Sequence, residues 1–526
     1  MSAGVDGDGL GTDRGGSGMD RDEPDWDHDV WDPDALGVLL APFTGTEVPA
    51  FLAEPLRAGL GGVILFGHNT PDATTCARLS RDLHAIEPDV LVAVDEEGGD
   101  VTRLQAATGS SLPTAWALGE IDDVGLTRRV GRALGDVLAA CDVDLDLAPV
   151  LDVSTDPANP VIGTRAYGDE PDRVTRHARA MAGGIRDAGV GVCGKHFPGH
   201  GATHVDSHTA LPTITLGLEQ FEREHLEPWQ LAPWMDAVMT AHLLVPALGE
   251  GPASISGWAR EVLDTVCGEG GFHGLLITDA LDMAAVADTY GYGEAAVRAV
   301  EAGAHLLCLG TSIRRDDAQM LREAHDALLA AVDTGRLPRH VLAERAAEVR
   351  QRRGWLRDRR RGLPVPQLPE SMETLGRVGA EAATRAVRGR NAEGALTGGP
   401  VVIADARRRR DHASGTRRSL LAAVLAEQGI DAQEIHYPSD ITRPDATALI
   451  LTRLPRADHE EQQQLTELLR LRPDAILVHT GVPDAAHPHP RYVLAHGAGR
   501  ASMAAAAALL LGRTSSSGHA QGRGSR

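Results

Sequence analysis

Residues 189–208, G-V-G-V-C-G-K-H-F-P-G-H-G-A-T-H-V-D-S-H, join a short apolar run to a stretch rich in glycine and histidine. The run contains no charged residue, as expected of a strand that is buried on both faces of a parallel sheet. Lys195, the only lysine among the 526 residues of the chain, follows it directly. Pro198, Gly199 and Gly201 disfavour a helix, so we expect a strand that ends in a loop, not a helical face of metal-binding histidines.

Similar apolar runs alternate with helix-like segments over the first two thirds of the chain. The eight runs are residues 38–43, 62–66, 90–94, 143–150, 189–194, 237–241, 274–278 and 304–309. Eight buried strands that alternate with helices are typical of a (β/α)8 barrel. We therefore predict that residues 35–362 form such a barrel.

The remainder of the chain indicates a second domain. The sequence L-P-V-P-Q-L-P-E, residues 363–370, is typical of a stiff linker, which we place at 363–372. Strand-like runs follow near 401–404, 434–437, 448–452, 475–479 and 492–496, again between helix-like segments. Because these runs are too few for a barrel, we predict an open αβα sandwich over residues 373–512.

The chain is acidic, with a formal net charge of −23, and much of this charge is near the amino terminus. Residues 1–34 contain eleven acidic residues and two arginines, and we expect them and residues 513–526 to be disordered. The net charge argues against nucleic acid or an anionic membrane as a partner and favours a neutral small molecule. The arginine runs at 357–361 and 407–410 lack interleaved aromatic residues and are interpreted as solvated surface.

The cysteines bear on the cellular compartment. They lie at positions 76, 141, 193, 267 and 308 and form no CxxC pair, which indicates reduced thiols. The amino-terminal residues show no basic and apolar regions of a signal peptide, and no apolar run approaches the ~20 residues that span a bilayer. We expect a cytoplasmic protein, and a monomer.

Polar residues cluster just after the carboxyl ends of the predicted barrel strands. They are Asp95 after the third run, Asp152 after the fourth, Lys195 and His196 after the fifth, His242 after the sixth and Asp279 after the seventh. Active sites of such barrels lie at this end of the strands. One polar residue could simply mark the start of solvent, but a set that includes the only lysine favours a site.

The types of residue in this set suit glycoside hydrolysis, in which one group attacks the anomeric carbon and another protonates the departing oxygen. Asp279 is the candidate nucleophile. Asp206 and His208 lie two residues apart, so in an extended loop the carboxylate can face the imidazole and make it a general acid/base near neutral pH. The other polar side chains would hold sugar hydroxyls: Asp95, Arg103, Lys195 and His196.

The same residues could instead have purely structural roles. Asp279 could cap the following helix and residues 206–208 could form a surface turn, although the neighbouring motifs favour catalysis for both. Arg103, like the arginine at position 165, could form a structural ion pair instead of contacting a sugar. His200 and His204 are expected to pack or hydrogen-bond within their loop, and His242 has no assigned role.

These motifs closely resemble glycoside hydrolase family 3, in particular its β-N-acetylglucosaminidase branch. The resemblance rests on K-H-F-P-G-H-G at 195–201, D-S-H at 206–208 and an aspartate that ends the seventh strand, and it spans about residues 36–310. The second domain is similar to that of the two-domain members of the family. Ala202 and Ala280 depart from the pattern, since acidic residues are common at these positions.

The resemblance implies a retaining exo-β-N-acetylglucosaminidase that needs neither a metal nor an organic cofactor. Asp279 would form the glycosyl-enzyme and the Asp206/His208 dyad, on a mobile loop, would act as acid/base. The positions that match the family's sugar contacts are Asp95, Arg103, Arg165 in N-P-V-I-G-T-R-A-Y-G, Lys195 and His196. The branch acts on non-reducing N-acetylglucosamine, often from peptidoglycan fragments.

Four other functions stay open from the sequence, the first of which is another β-glycosidase of family 3. A phosphorylase is possible because a neutral imidazole at His208, unlike a carboxylate, would not repel phosphate in the second step. A metal-dependent barrel hydrolase would use the histidines at positions 196, 200, 204 and 208 as ligands and would carry zinc. A catalytically silent sugar-binding protein is disfavoured because both the nucleophile and the dyad are present.

Overall fold

The computed structural model describes residues 31–204, 211–311, 315–407 and 420–513. Within these ranges the chain forms an eight-stranded sheet and then a six-stranded sheet. The predicted fold class, a (β/α)8 barrel followed by an αβα sandwich, is confirmed. Asp206 and His208 lie outside the described residues.

The first sheet is a parallel barrel whose strands follow one another in chain order. Its strands are β1 Leu39–Ala41, β2 Gly62–Leu65, β3 Leu91–Val94, β4 Leu145–Asp146, β5 Gly191–Phe197, β6 Ala237–Thr240, β7 Leu275–Thr278 and β8 Leu307–Cys308. β1 pairs with both β2 and β8, and a parallel bridge between Ile277 and Leu306 joins the remaining edges. Seven of the predicted runs contain one of these strands and the run 189–194 covers the first part of β5, because a strand covered on both faces needs a continuous apolar sequence.

Helices flank and connect the barrel strands. They are α1 Pro33–Gly37, α2 Ala50–Ala58, α3 Ala73–Ile86, α4 Ala115–Ile121, α5 Val124–Ala140, α6 Pro171–Asp187, α7 Leu218–Phe221, α8 Trp258–Cys267, α9 Ala284–Tyr290, α10 Tyr292–Glu301, α11 Asp317–Asp333 and α12 Arg339–Arg360. In the described part of the chain, no helix is both long enough and apolar enough to cross a membrane.

Two details of the barrel correct the sequence predictions. Helix α1 begins inside the predicted acidic tail, because the Asp32 carboxylate accepts hydrogen bonds from two backbone N–H groups of its first turn. The arginines at the end of α12 are not merely solvated. Arg359 pairs with the buried carboxylate of Asp236 at 3.0 Å and Arg360 pairs with Asp142 at 2.8 Å, so they hold α12 against the barrel.

The strands of the second sheet are β9 Arg388–Arg390, β10 Val401–Asp405, β11 Ala432–Glu434, β12 Thr447–Thr452, β13 Ile476–His479 and β14 Tyr492–Leu494. Their order in the sheet is β11-β10-β12-β13-β14-β9, and all neighbours are parallel except the last pair. Its helices are α13 Leu368–Ala386, α14 Leu421–Glu427, α15 His459–Leu471 and α16 Arg500–Leu510. The central strands lie where the sequence predicts them.

The edges of this domain differ from the prediction. β9 was not predicted, and β11 overlaps the predicted residues 434–437 only at Glu434, because both are edge strands whose partly exposed side chains carry no continuous apolar signal. The predicted linker 363–372 is also wrong in its second half, since α13 begins at Leu368. Pro369 lies in the first turn of this helix, where a proline is tolerated, so it does not mark a linker.

Candidate active site

A cavity opens at the carboxyl ends of the barrel strands. All the predicted site residues that the structure describes line this cavity. They are Asp95, Arg103, Arg165, Lys195, His196 and Asp279. Apolar side chains complete the wall, among them Ile64, Phe66, Leu147, Val161, Met239 and Met283. The cavity holds about 680 Å³ of empty space, including the part open to solvent.

Lys195 lies near the carboxyl end of β5, and its ammonium is buried between two carboxylates. Its Nζ lies 2.7 Å from Oδ1 of Asp95 and 2.7 Å from Oε1 of Glu97. Burial disfavours the charged ammonium, but the two carboxylates outweigh this effect and raise the pKa of Lys195 above its usual value. Burial also opposes the charge of Asp95, yet Lys195 and Arg103 hold the pKa of that carboxyl below its usual value.

Glu97 is a site residue that the sequence did not reveal. Its carboxylate receives two hydrogen bonds from Arg165, Nε to Oε2 at 2.9 Å and Nη2 to Oε1 at 2.7 Å, besides the contact with Lys195. Burial would raise the pKa of Glu97, but the two cations lower it far below the usual value. Asp95 and Glu97 are two residues apart in an extended segment, and this spacing could have predicted that they face the same side.

His196 is oriented by a fully buried carboxylate. Its Nδ1 lies 2.7 Å from Oδ2 of Asp152, and its Nε2 lies 3.3 Å from Nη2 of Arg165, which can only donate. The imidazole therefore carries its proton on Nδ1 and offers Nε2 as an acceptor. Asp152 also accepts the backbone N–H of His200 at 2.7 Å, so this one carboxylate shapes the start of the loop after β5.

Asp279 directly follows the last residue of β7 and lines the cavity. Its backbone N–H donates to the Thr240 carbonyl at 2.9 Å, and its Oδ1 accepts the N–H of Ala280 at 2.8 Å. The next helix begins at Ala284 with Met283 at its N-cap, so Asp279 does not cap that helix. His242, which had no assigned role, is buried and its Nε2 contacts the Ala280 carbonyl at 2.9 Å, which fixes the backbone beside Asp279.

The other loop histidines behave partly as predicted. His200 is buried and bonds Thr203 within its loop at 2.8 Å, and burial lowers the pKa of His200 to about 4, so the ring is neutral. His204 instead lies 2.7 Å from Asp156 of another loop. Arg103 and Arg165 form ion pairs and line the cavity as well, so the two roles weighed for them are compatible.

Comparisons with known proteins agree with the fold. Residues 47–351, more than half of the chain, match the domain described as "Glycosyl hydrolase family 3 N terminal domain". The chain belongs to glycosyl hydrolase family 3. It is therefore a glycoside hydrolase, as the resemblance of the K-H-F-P-G-H-G and D-S-H motifs implied.

Several family 3 relatives are similar over large parts of their length. A β-hexosaminidase of Chromobacterium violaceum is 37% identical over 319 residues, which cover 59% of this chain and 84% of the relative. A family 3 β-N-acetylglucosaminidase structure from Paenibacillus sp. str. FPU-7 aligns with a TM-score of 0.78 at 29% identity, covering 93% of this chain and 97% of that chain. The structure of NagZ from Neisseria gonorrhoeae in complex with N-trifluoroacetyl-D-glucosamine aligns with a TM-score of 0.53 at 28% identity, covering 65% and 98% respectively.

Proposed function

We propose that this family 3 enzyme is a retaining exo-β-N-acetylhexosaminidase that releases terminal non-reducing N-acetylglucosamine from β-glycosides such as peptidoglycan fragments. One observation carries the proposal: Asp279 lines the same cavity as Lys195 and its two carboxylate partners. The names of the family 3 relatives and the N-acylated glucosamine bound to one of them support the choice of sugar.

In the proposed first step, the Asp279 carboxylate attacks the anomeric carbon while the bond to the leaving oxygen breaks. His208, polarised by Asp206, gives its proton to that oxygen, and a glycosyl-enzyme forms. In the second step His208 takes a proton from water as the water attacks the same carbon, which frees Asp279 and retains the anomeric configuration. The spacing of the dyad and the family resemblance support these roles.

The charged residues of the cavity would bind a neutral sugar. In the described part of the chain, Lys195 uses two of its three N–H donors on Asp95 and Glu97, which leaves one for a sugar hydroxyl. The carboxylate of Asp95 retains lone pairs that can accept a hydroxyl proton. The single lone pair of His196 Nε2 faces Nη2 of Arg165, so His196 would accept a sugar hydroxyl only in place of that contact. Because the cations and carboxylates already neutralise one another, an uncharged substrate is the proposed ligand.

We propose that the enzyme is a cytoplasmic monomer. All five cysteines are free and four of them are buried, which supports a reducing compartment. Cell fractionation and light scattering of the purified chain test the two parts of this proposal separately. Recovery in an extracellular fraction, or a molecular mass twice that of the chain, would contradict them.

The experiment for the substrate compares a chromogenic β-N-acetylglucosaminide with the matching plain β-glucoside. We expect hydrolysis of the first and at most slow turnover of the second, and the opposite order would reject the N-acetyl assignment. The same reaction in phosphate buffer separates the phosphorylase alternative, since that enzyme would release sugar 1-phosphate in place of free sugar. A muropeptide with a terminal N-acetylglucosamine then tests the peptidoglycan part of the proposal.

A further inference from the structure

The sandwich domain contacts the segment that carries three of the sugar-site residues. This segment, residues 95–114 between β3 and α4, is called the β3–α4 loop below, and it supplies Asp95, Glu97 and Arg103 to the cavity. From the middle of the loop, Oδ1 of Asp100 accepts the backbone N–H groups of Ala498 at 2.7 Å and Gly499 at 2.9 Å. Both donors lie in the turn between β14 and α16 of the sandwich, so one carboxylate joins the two domains.

The same carboxylate reaches a second part of the sugar site. Its Oδ2 lies 3.4 Å from Oγ1 of Thr164, which can donate a hydrogen bond to it. Thr164 precedes Arg165 in a short helical turn, and Arg165 holds Glu97 in the cavity. Asp100 therefore connects the sandwich to the β3–α4 loop and to the turn that carries Arg165.

The contact between the domains is close and extends beyond Asp100. Thr114 Oγ1 donates to the carbonyl of His496, and the N–H of Ala501 donates to the carbonyl of Ser110 at 3.1 Å. The chain reverses at Gly99, whose φ is +62°, and a Cβ added to Gly499 would lie 2.6 Å from the Gly99 carbonyl oxygen. The backbones thus meet at a distance that leaves no room for a side chain.

Hydrogen bonds within the barrel domain hold the β3–α4 loop on either side of its turn. The buried Glu96 carboxylate accepts the N–H groups of Arg103 at 2.7 Å and Leu104 at 2.9 Å. Between these residues and Glu97 the chain turns at residues 98–101, and Val101, at the end of the turn, lines the cavity. These bonds hold the chain beyond the turn to Glu96, whose own N–H donates to Asp146 of β4 at 3.0 Å, and the sandwich, through Asp100, holds the turn itself.

We propose that Asp100 is a positioning residue, through which the turn at residues 496–499 of the sandwich domain holds Glu97, Arg103 and Arg165 in place for sugar binding. A charged acceptor that receives two N–H groups at the start of α16, an 11-residue helix, forms strong hydrogen bonds. This inference deepens the proposed function and its kinetic part rests on it. Asp279 follows β7 and the dyad follows β5 in the sequence, so neither belongs to the β3–α4 loop, and affinity should depend on Asp100 more than the chemical step does.

The first test is Asp100→Ala in the full-length enzyme with the N-acetylglucosaminide substrate. We expect KM to rise at least about five-fold while kcat changes less than about two-fold, because ground-state contacts are loosened and the nucleophile is not. Asp100→Asn should keep most of the affinity, since its amide oxygen can accept the same two N–H groups. An unchanged KM for Asp100→Ala would overturn the proposal, as would an Asp100→Asn variant as impaired as the alanine variant.

A second variant tests the same contact from the sandwich side. Gly499→Ala removes no polar atom but places a methyl group against the Gly99 carbonyl, so it should raise KM in the same direction. Asp32→Ala is the matched control, because Oδ1 of Asp32 also accepts two backbone N–H groups, both at 3.0 Å, at the far end of the barrel. A rise in KM for the control equal to that for Asp100→Ala would show a general loss of stability and overturn the proposal.

Hydrogen exchange provides a readout that needs no substrate. We expect faster backbone exchange at residues 98–103 in Asp100→Ala than in the wild type, with little change in the Asp32→Ala control. If the wild type fails to hydrolyse the N-acetylglucosaminide, the proposed function fails while faster exchange still supports the positioning role. Unchanged exchange in this loop would overturn the positioning role whatever the activity.

Discussion

Nζ of Lys195 lies 2.7 Å from Oδ1 of Asp95. Lys195 belongs to β5 and Asp95 directly follows β3, and β4 lies between these two strands in the barrel. The side chains meet because both leave their strands at the carboxyl end and point into the cavity. Glu97 approaches the same ammonium at 2.7 Å from another direction. A compact cation with three donors can meet two carboxylates and a sugar hydroxyl at once, which explains why the chain uses its only lysine here.

We therefore predict that Lys195→Arg, which keeps the charge, lowers kcat/KM at least about 100-fold, because the planar guanidinium is too large for the space between Asp95 and Glu97. Steady-state kinetics and thermal unfolding check this together. Arg298→Lys, the reverse exchange in the more exposed pair with Glu294, should leave kcat/KM unchanged. A Lys195→Arg enzyme with nearly normal kcat/KM would mean that the ammonium has no specific role.

The acid/base role of His208 leads to a separate prediction. His208→Ala should slow both steps, with the second step more affected for a substrate whose leaving group needs no protonation. Rapid mixing with such an activated substrate should then show a burst of leaving group followed by slow turnover, with substrate affinity preserved. A variant whose rates on activated and unactivated substrates equal those of the wild type would remove His208 from the mechanism.

Stability should depend on pH through His84, which lies away from the cavity. Burial would lower its pKa, but the carboxylates of Asp142 and Asp144, at 2.9 and 3.3 Å, raise the pKa of His84 from 6.5 to about 9. The folded protein thus keeps this proton at pH values where the unfolded chain loses it. The contribution of His84 to the free energy of unfolding is complete below about pH 6.5 and is lost as the pH rises through about 9.

Urea unfolding of the wild type and His84→Gln at pH 6 and pH 9.5 checks this. The variant should be less stable than the wild type by roughly 1–3 kcal/mol at the lower pH, and the difference should largely vanish at the higher pH. His340→Gln, at an exposed position on α12, is the control and should show no such dependence. A constant difference between wild type and His84→Gln at both pH values would contradict the account.

The sequence predicted those parts of the molecule that leave a local pattern. The barrel strands are continuous apolar runs, and Asp95, Lys195 and Asp279 follow three of them, so their meeting could be predicted from strand order alone. The edge strands β9 and β11 have exposed side chains and gave no such pattern. The roles of Asp206 and His208 stay predictions, since these residues lie outside the described ranges.

The features that the sequence did not predict depend on contacts between residues that are far apart in the chain. Asp100 and Ala498 are 398 residues apart, and no local pattern in either segment indicates that they meet. Glu97 was missed because only Asp95, which directly follows the third apolar run, was assigned to the site there. Its buried contacts with Lys195 and Arg165 appear only once three strand ends lie side by side.

The central claim, that Asp279 forms a covalent glycosyl-enzyme, is tested most directly by trapping that species. A fluorinated N-acetylglucosaminide that glycosylates the enzyme faster than it is hydrolysed should add one sugar residue to the wild type. Mass spectrometry of the digested protein should place this sugar on Asp279, and Asp279→Asn should show no adduct. A sugar found on another residue, or turnover of the unmodified N-acetylglucosaminide by Asp279→Asn at the wild-type rate, would contradict the account.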